Sequence, residues 1–264
     1  YDMEKQAGTM NNTLGYSSTP QEKANDINNA FSDKSINAII CSQGGENANS
    51  ILSLLNYELI RKNPKVFLGI SDITVLLVAI YQQTGLITFH GNDVIWGFGR
   101  NPTNYDVGEF IDRLVNGQTG KTKKNSVWKT IKAGQTTGTL IGGNLSCLTK
   151  LAGTPYFPDF KDKILFLESY SESSPADKVS CQLHQLDQTG VFRQIKGLLL
   201  GYYRIPQNIP YEKITEEITG KYSFPIIKCN DFGHNTPNTT LPIGARVKLN
   251  ADKAYLEILE NYLT

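Results

Sequence analysis

Three absences narrow the function of this 264-residue chain. The charges nearly cancel, with 26 Lys and Arg against 25 Asp and Glu, and a net charge of +1 gives no field that would recruit nucleic acid or an anionic membrane. The longest apolar run, residues 75–81, is far shorter than the ~20 residues that cross a bilayer. The first residues show no signal-peptide pattern. We therefore expect no nucleic-acid partner and no membrane partner.

Cysteine is scarce and scattered. Its usage indicates a reduced protein, and we expect a cytoplasmic location. Nothing in the composition requires a cofactor or a metal ion, and 39% apolar with 19% charged residues is typical of a globular protein. The four cysteines stand singly, without the close spacings of metal or redox sites, at Cys41, Cys147, Cys181 and Cys229.

Two familiar catalytic motifs are also missing. The segment NGQTGKT, at residues 116–122, resembles a phosphate-binding loop, but Val115 occupies the position that needs the first glycine. A polar stretch follows it instead of an apolar helix, so a solvated basic loop is the better interpretation. The bend GISDI, at residues 69–73, lacks the GxSxG pattern, which excludes an α/β-hydrolase.

Apolar strands alternate with helical patterns in the first hundred residues. Such alternation, with short glycine-containing turns, predicts right-handed βαβ units on a parallel sheet of the flavodoxin or Rossmann-like type. We assign residues 1–100 to this N-terminal domain. Its predicted strands are residues 35–42, Val66–Gly69 and 86–90, and its predicted helices cover residues 47–61 and the run from Ser71 to Gln83.

The rest of the chain divides into a connector and a second domain. Residues 101–137 combine an amphipathic stretch with Pro, Gly, Asn and a lysine cluster, and we interpret them as a helix plus an exposed connector. Residues 138–264 predict a C-terminal α/β domain rich in strands. Its predicted elements are strands at 163–169 and 196–203, helices at 175–189 and 211–219, and two short antiparallel strands around a turn at 250–253.

The most informative segment is the bend at Ser71. A buried strand ends just before it and an apolar helix follows, which suits a nucleophile that attacks a carbonyl. The alternative is that Ser71 or Asp72 simply N-caps the helix. The Gly44-Gly45 turn either presents backbone N–H groups to an oxyanion or serves only as a tight turn. In a parallel sheet this turn and His90 share an edge with Ser71, which favours the catalytic interpretation.

A base for this nucleophile has three candidates, because the chain holds three histidines. His184 falls in an amphipathic helix and is expected at the surface, whereas His90 ends a strand and His234 lies in a loop with Gly and Pro. Glu168 ends the strand KILFLES, where it either accepts a histidine Nδ1–H or pairs with a lysine. Glu172 is the nearby competitor.

Taken together, several segments resemble the serine LD-carboxypeptidase family, which includes muramoyltetrapeptide carboxypeptidases and the microcin C immunity peptidases. In that family an N-terminal α/β domain supplies the nucleophile, and a C-terminal domain supplies a glutamate and a histidine. Members carry a strand ahead of the region that matches residues 15–31, so we expect this first strand to be missing here. The matching segments run in family order as CSQGGENANSIL (41–52), FLGISDIT (67–74), TFHG (88–91), GTLIGGNLSCLTKLAGTPYFPDF (138–160), ILFLES (164–169) and GHNTPNTTLPIG (233–244).

The resemblance implies a catalytic triad. Ser71 would be the nucleophile, Glu168 the orienting carboxylate and His234 the base. The oxyanion would be bound by the backbone N–H groups of Gly45 and Asp72. The implied reaction releases the terminal D-alanine from a murein tetrapeptide, without a cofactor, in peptidoglycan recycling.

Substrate recognition is less closely determined by the sequence. We expect Gly44, Asn144 and Trp128 to contact the substrate. The alternative substrate in the family is a peptidyl or aminoacyl nucleotide, for which Trp128 or Trp96 would form a platform for the base. A non-catalytic muropeptide-binding relative is the third possibility. In this chain Ser169 replaces the aspartate that usually follows the catalytic glutamate in the family. The resemblance also implies that the protein is a homodimer.

Overall fold

The computed structural model describes residues 5–6, 12–13, 16–170, 176–203 and 209–263. The strands are β1 (Asn12–Thr13), β2 (Tyr16–Ser17), β3 (Ala38–Ile40), β4 (Val66–Gly69), β5 (Thr88–His90), β6 (Gly120–Lys121), β7 (Lys129–Lys132), β8 (Gln135–Asn144), β9 (Lys163–Ser169), β10 (Gly197–Tyr203), β11 (Ile226–Lys228), β12 (Leu241–Ile243), β13 (Arg246–Asn250) and β14 (Tyr255–Ile258). The α-helices are α1 (Pro20–Ser32), α2 (Tyr57–Lys62), α3 (Thr74–Thr84), α4 (Asn104–Phe110), α5 (Leu145–Thr149), α6 (Ala176–Gln188), α7 (Val191–Gln194) and α8 (Tyr211–Thr219).

Four strands form the N-terminal sheet, in the order β12–β5–β4–β3. As the alternating pattern predicts, β3, β4 and β5 run parallel, with Ile39 opposite Phe67 and Leu68 opposite Phe89. Residues 74–80 of α3 are all buried, because the helix packs between this sheet and β8 of the second sheet. The helix ends at Gly85.

The outer strand of that sheet comes from the far end of the sequence. β12 pairs antiparallel with β5, which places Leu241 opposite His90 and Ile243 opposite Thr88. Both apolar side chains of β12 are buried, so the strand covers what would otherwise be an open edge. The C-terminal half of the chain therefore completes the N-terminal sheet.

The second sheet is mixed, in the order β6–β14–β13–β8–β9–β10–β11–β7. Its central strands β8, β9, β10 and β11 run parallel, and the outer strands are antiparallel. The register of β8 and β9 places Asn144 opposite Glu168 at their carboxyl ends. This mixed α/β architecture confirms the predicted fold class, and the β13–β14 pair confirms the two predicted antiparallel strands.

Two local expectations were wrong. Residues 101–137 do not form only a helix and a connector, because β6 and β7 in this segment pair with β14 and β11 at the outer edges of the second sheet. These edge strands are short and rich in lysine, so they show little apolar alternation. The helix expected at 47–61 is divided into a 3-10 helix, Ala48–Leu54, and α2, whose N-cap Asn56 accepts the N–H of Leu59. None of the helices in the described ranges is long and apolar enough to span a membrane.

Candidate active site

Ser71 lies two residues after the end of β4 and is the first residue of the 3-10 helix Ser71–Ile73. Its φ is +64°, a left-handed conformation that a side chain with a β-carbon disfavours. Neither this short helix nor α3 has a side-chain cap at its start, so the capping interpretation is wrong for both Ser71 and Asp72. A strained polar residue at the end of a strand is typical of a functional position.

The Gly44-Gly45 turn packs against this serine. A β-carbon at Gly44 would lie 2.7 Å from Cβ of Ser71 and 3.1 Å from its Oγ, so only glycine fits there. A β-carbon at Gly45 would lie 3.7 Å from Oδ2 of Asp72. The structure therefore brings the Gly44-Gly45 turn, which contains one of the two predicted oxyanion donors, against Ser71 and Asp72.

His234 and Glu168 form a pair on the C-terminal side of the site. Nδ1 of His234 lies 2.7 Å from Oε2 of Glu168, and the ring of Tyr170 stacks on the imidazole with the centroids 4.8 Å apart. Glu168 is completely buried, whereas 19% of the His234 side chain is exposed. The carboxylate is thus shielded from water while the imidazole reaches the surface.

The pKa values of this pair are displaced in opposite directions. Burial alone would raise the pKa of Glu168, but the charge and hydrogen bond of His234 outweigh it and hold that pKa well below its usual range. Burial alone would lower the pKa of His234, but the carboxylates of Glu168 and Asp93 raise it above its usual value. Glu168 is therefore ionised at neutral pH and stabilises a positive charge on the imidazole.

Two neighbours fix Glu168 in place. The side-chain amide of Asn144 donates to Oε1 of Glu168 at 3.0 Å, and the backbone N–H of Asn144 donates to Oγ1 of Thr74 at 3.0 Å. Asn144 thereby connects the carboxylate to the helix that follows Ser71. Gly233 has a φ of +121°, and a β-carbon there would lie 3.0 Å from Cβ of Glu168. Glycine allows the loop to approach the strand end this closely.

Comparisons with known proteins show the family of this chain. Models of the LD-carboxypeptidase N-terminal and C-terminal domains match residues 1–91 and 137–249. The microcin C7 self-immunity protein MccF of Escherichia coli is 32% identical, over 94% of this chain and 81% of that protein. This chain belongs to the LD-carboxypeptidase family.

Two further similar proteins are associated with different ligands, one by its name and one by the compound in its solved structure. A Bacillus subtilis (strain 168) protein named "Probable murein peptide carboxypeptidase" is 30% identical, over 91% of this chain and 77% of that protein. A solved structure of MccF in complex with glutamyl sulfamoyl guanosine has a TM-score of 0.89 at 28% identity, covering 97% of this chain and 86% of that chain. The resemblance inferred from the sequence is therefore confirmed, and this protein is a serine peptidase.

The two alternative histidines, His90 and His184, occupy other positions in this LD-carboxypeptidase fold. His90 is completely buried, and its Nε2 lies 3.7 Å from Oε1 of Glu168, too far for a hydrogen bond. Neither ring nitrogen of His90 has a hydrogen-bond partner among the described residues. His184 is exposed on α6, as expected. Ser169, which replaces the usual aspartate, is buried, and Glu172 lies outside the described residues.

Two expected substrate contacts are not on an open surface. Trp128 is 8% exposed and its indole N–H donates to Asp231 at 2.6 Å, so the ring packs in the core instead of forming a platform. Asn144 is also buried, and its side-chain amide already donates a hydrogen bond to Glu168. Trp96 is 48% exposed and carries the guanidinium of Arg100 over its ring. Within the described ranges, no group of three or more His, Cys, Asp or Glu side chains is placed to hold a metal ion.

A polar network that the sequence analysis did not single out anchors the His234 loop. Oδ1 of Asp106 accepts the backbone N–H of Asn238 at 2.8 Å and the side-chain amide of Asn92 at 2.9 Å. Asn238 in turn donates its own amide to Asn92 at 3.0 Å and accepts the N–H of Gly233 at 3.2 Å. These residues come from three distant segments, so no local pattern marks them.

Asp93 is a second carboxylate near the histidine that the sequence analysis missed. It is buried, and its Oδ1 accepts the backbone N–H groups of Trp96 and Gly97 at 2.7 and 3.0 Å. Burial raises the pKa of Asp93, while its backbone hydrogen bonds, including one with Gly44, and the charge of His234 oppose that rise. The carboxylate of Asp93 therefore interacts with both the Gly44-Gly45 turn and the imidazole of His234.

Proposed function

We propose that this family member is a Ser–His–Glu carboxypeptidase that releases the terminal D-alanine from murein tetrapeptides. The observation that carries the proposal is the 2.7 Å contact between His234 Nδ1 and the buried Glu168, together with the strained turn at Ser71. With Nδ1–H directed at the carboxylate, the lone pair of Nε2 is available to accept a proton. The Bacillus subtilis relative named for murein peptides supports this substrate class.

The proposed reaction has two steps. In acylation, Nε2 of His234 accepts the hydroxyl proton of Ser71 while Oγ attacks the carbonyl carbon. His234 then gives this proton to the departing amine of D-alanine, which leaves an ester on Ser71. In deacylation, the same imidazole takes a proton from water, the hydroxide attacks the ester, and the proton returns to Ser71. Glu168 remains ionised throughout and stabilises the imidazolium.

The oxyanion of each tetrahedral intermediate needs hydrogen-bond donors. We assign this role to the backbone N–H groups of Gly45 and Asp72, because the Gly44-Gly45 turn packs directly on Ser71. Loss of one such donor typically costs about 3–4 kcal/mol of transition-state stabilisation. The position of the turn should therefore matter nearly as much as the triad side chains.

Product analysis tests this proposal. The purified protein is incubated with a murein tetrapeptide and the products are read by mass spectrometry, with Ser71→Ala as the test variant and Ser53→Ala, an exposed serine, as the control. We expect free D-alanine from the wild type and from Ser53→Ala, and none from Ser71→Ala. Full activity in Ser71→Ala contradicts the mechanism. Affinity for the peptide without any release of D-alanine would identify a non-catalytic binding protein.

A second substrate class is supported by one observation at the surface. Trp96 is half exposed and is covered on one face by Arg100, a pairing suited to stack a nucleobase and attract an anionic linker. The solved MccF structure in complex with glutamyl sulfamoyl guanosine supports a peptidyl or aminoacyl nucleotide as the alternative substrate. A parallel incubation with an aminoacyl-sulfamoyl adenosine decides between the two. Cleavage of this compound, but not of the tetrapeptide, would replace the murein proposal.

The cellular setting is part of the same proposal. We place the protein in the cytoplasm, in peptidoglycan recycling, and we propose a homodimer on the basis of the family resemblance. Light scattering of the purified protein at several concentrations tests the dimer. A mass of one chain at every concentration contradicts it.

A further inference from the structure

A cation from the C-terminal half of the chain reaches the turn of the proposed nucleophile. Nζ of Lys150 lies 2.8 Å from Oδ1 of Asp72 and 2.9 Å from the backbone carbonyl oxygen of Glu46. Asp72 directly follows Ser71, and Glu46 directly follows Gly45. One ammonium group therefore contacts both segments that flank the proposed oxyanion site.

Lys150 pairs directly with Asp72 and compensates its charge, and Lys23 adds a second positive charge that interacts with the same carboxylate. The carboxylate of Asp72 is buried, and its Oδ2 accepts the backbone N–H of Ala48 at 2.6 Å. A buried carboxylate keeps its charge and its position only when a cation or several donors compensate it. Burial would lower the pKa of Lys150, but the hydrogen bond and charge of Asp72 raise it above its usual value, so the lysine is protonated. The ion pair thus holds Ala48 and the glycine turn against Asp72.

The short helix α5 links this ion pair to the proposed triad. Lys150 is its C-cap, and its N-cap is Asn144, whose side chain donates to Glu168 and whose backbone N–H donates to Thr74. Because α5 contains only five residues, Asn144 and Lys150 lie only about 9 Å apart along the helix axis. The same element therefore contacts the orienting carboxylate at one end and the proposed oxyanion turn at the other.

We infer that Lys150 is a positioning residue of the proposed peptidase. Its ammonium group fixes Asp72 and the carbonyl of Glu46, so that the N–H groups of Gly45 and Asp72 are directed at the oxyanion. Lys150 acts through these two segments and does not contact the reacting atoms. This role rests on the proposed function, but the contacts that produce it are measurable without activity.

Hydrogen–deuterium exchange measures those contacts directly. The Ala48 amide is followed in the wild type, Lys150→Met, Lys150→Arg and a control, Lys221→Met, which removes an exposed ion pair with Asp187 of similar length, 2.7 Å. We expect exchange at Ala48 to accelerate at least about tenfold in Lys150→Met, because the turn opens locally, and to stay unchanged in the control and nearly unchanged in Lys150→Arg. Unchanged protection in Lys150→Met would overturn the inference.

Steady-state kinetics test the consequence for catalysis. Removal of one oxyanion donor lowers kcat by about 10²–10³-fold, so a displaced turn in Lys150→Met should lower kcat by about tenfold to a hundredfold with little change in KM. Lys150→Arg should restore most of this loss. A wild-type kcat in Lys150→Met, or a change confined to KM, contradicts the inference. If the wild type cleaves neither substrate, the proposed function fails, and the exchange rates still decide whether Lys150 holds the turn.

Discussion

Nδ1 of His234 lies 2.7 Å from Oε2 of Glu168, although His234 stands in a loop and Glu168 lies near the carboxyl end of a buried central strand. The carboxylate is ionised because the histidine and Asn144 compensate its burial. The imidazole is oriented because the carboxylate accepts from only one of its nitrogens. Each residue of the pair therefore determines the state of the other.

Replacement of Glu168 by Gln should remove the charge while keeping the shape. We expect kcat for D-alanine release to fall about 10³–10⁴-fold, because the amide no longer fixes the tautomer or stabilises the imidazolium. The matched control is Glu212→Gln, which removes a partly exposed ion pair with Lys129. A loss of less than tenfold in Glu168→Gln, with the fold intact by circular dichroism, would exclude Glu168 from the mechanism.

The raised pKa of His234 sets the pH dependence of the reaction. A base must be neutral to accept a proton, so kcat/KM should increase with pH until the pH exceeds the pKa of His234, which lies above the ~6.5 of a free histidine. The loss on the acid side should approach about tenfold per pH unit. In Glu168→Gln the residual activity should show this limb at lower pH, because the carboxylate that raises the pKa is gone. A flat profile from about pH 5 to 8 would exclude His234 as the base.

A single methyl group at position 44 should disturb the nucleophile. In Gly44→Ala the new β-carbon would lie 2.7 Å from Cβ of Ser71, so either Ser71 or the glycine turn must move. We expect a loss of kcat of at least about 10²-fold, comparable to the loss of an oxyanion donor. Gly108→Ala is the control, because its β-carbon meets no atom within 4 Å and the helix α4 gains from alanine. Equal kinetics in the two variants would argue against close packing at Gly44.

The network around Asp106 should contribute to stability as well as to the position of the His234 loop. Asp106 accepts from the backbone N–H and hydroxyl of Thr103, from Asn92 and from the backbone N–H of Asn238. Asp106→Ala leaves the buried donors of Asn92 and Asn238 unsatisfied, so we expect the free energy of unfolding to decrease by about 2–4 kcal/mol. Urea denaturation measures it. Asp112→Ala, which loses an ion pair with the exposed Lys123, should cost less than about 1 kcal/mol.

Features encoded in consecutive residues were predictable. The strand Val66–Gly69 and residues 164–167 of the strand β9 are uninterrupted apolar runs, so burial marks them directly. The bend at Ser71 is visible because a strand pattern changes to a helix pattern within three residues. The pairing of His234 with Glu168 came from the resemblance and not from spacing, since the two residues are far apart in the sequence.

Features that depend on contacts between distant segments were not predictable. Asp93, Asp106 and Asn238 look like ordinary loop or cap residues until the fold places Asp93 near His234 and Asp106 against the His234 loop. The burial of Trp128 was missed for the same reason, because its partner Asp231 lies in another segment. The division of the 47–61 helix at Asn56 reflects a cap that competes with a continuous apolar pattern.

The antiparallel strand β12 has a consequence for the order of events during translation. The sheet that carries Ser71 cannot gain its outer strand until residue 243 has left the ribosome. Until that moment β5 presents unpaired N–H and C=O groups to any neighbouring nascent chain. Closure of so long a loop is slow compared with local folding. The ribosome-bound chain is therefore exposed to misassembly at the strand that ends in His90, and this exposure lasts until residues 241–243 have been made.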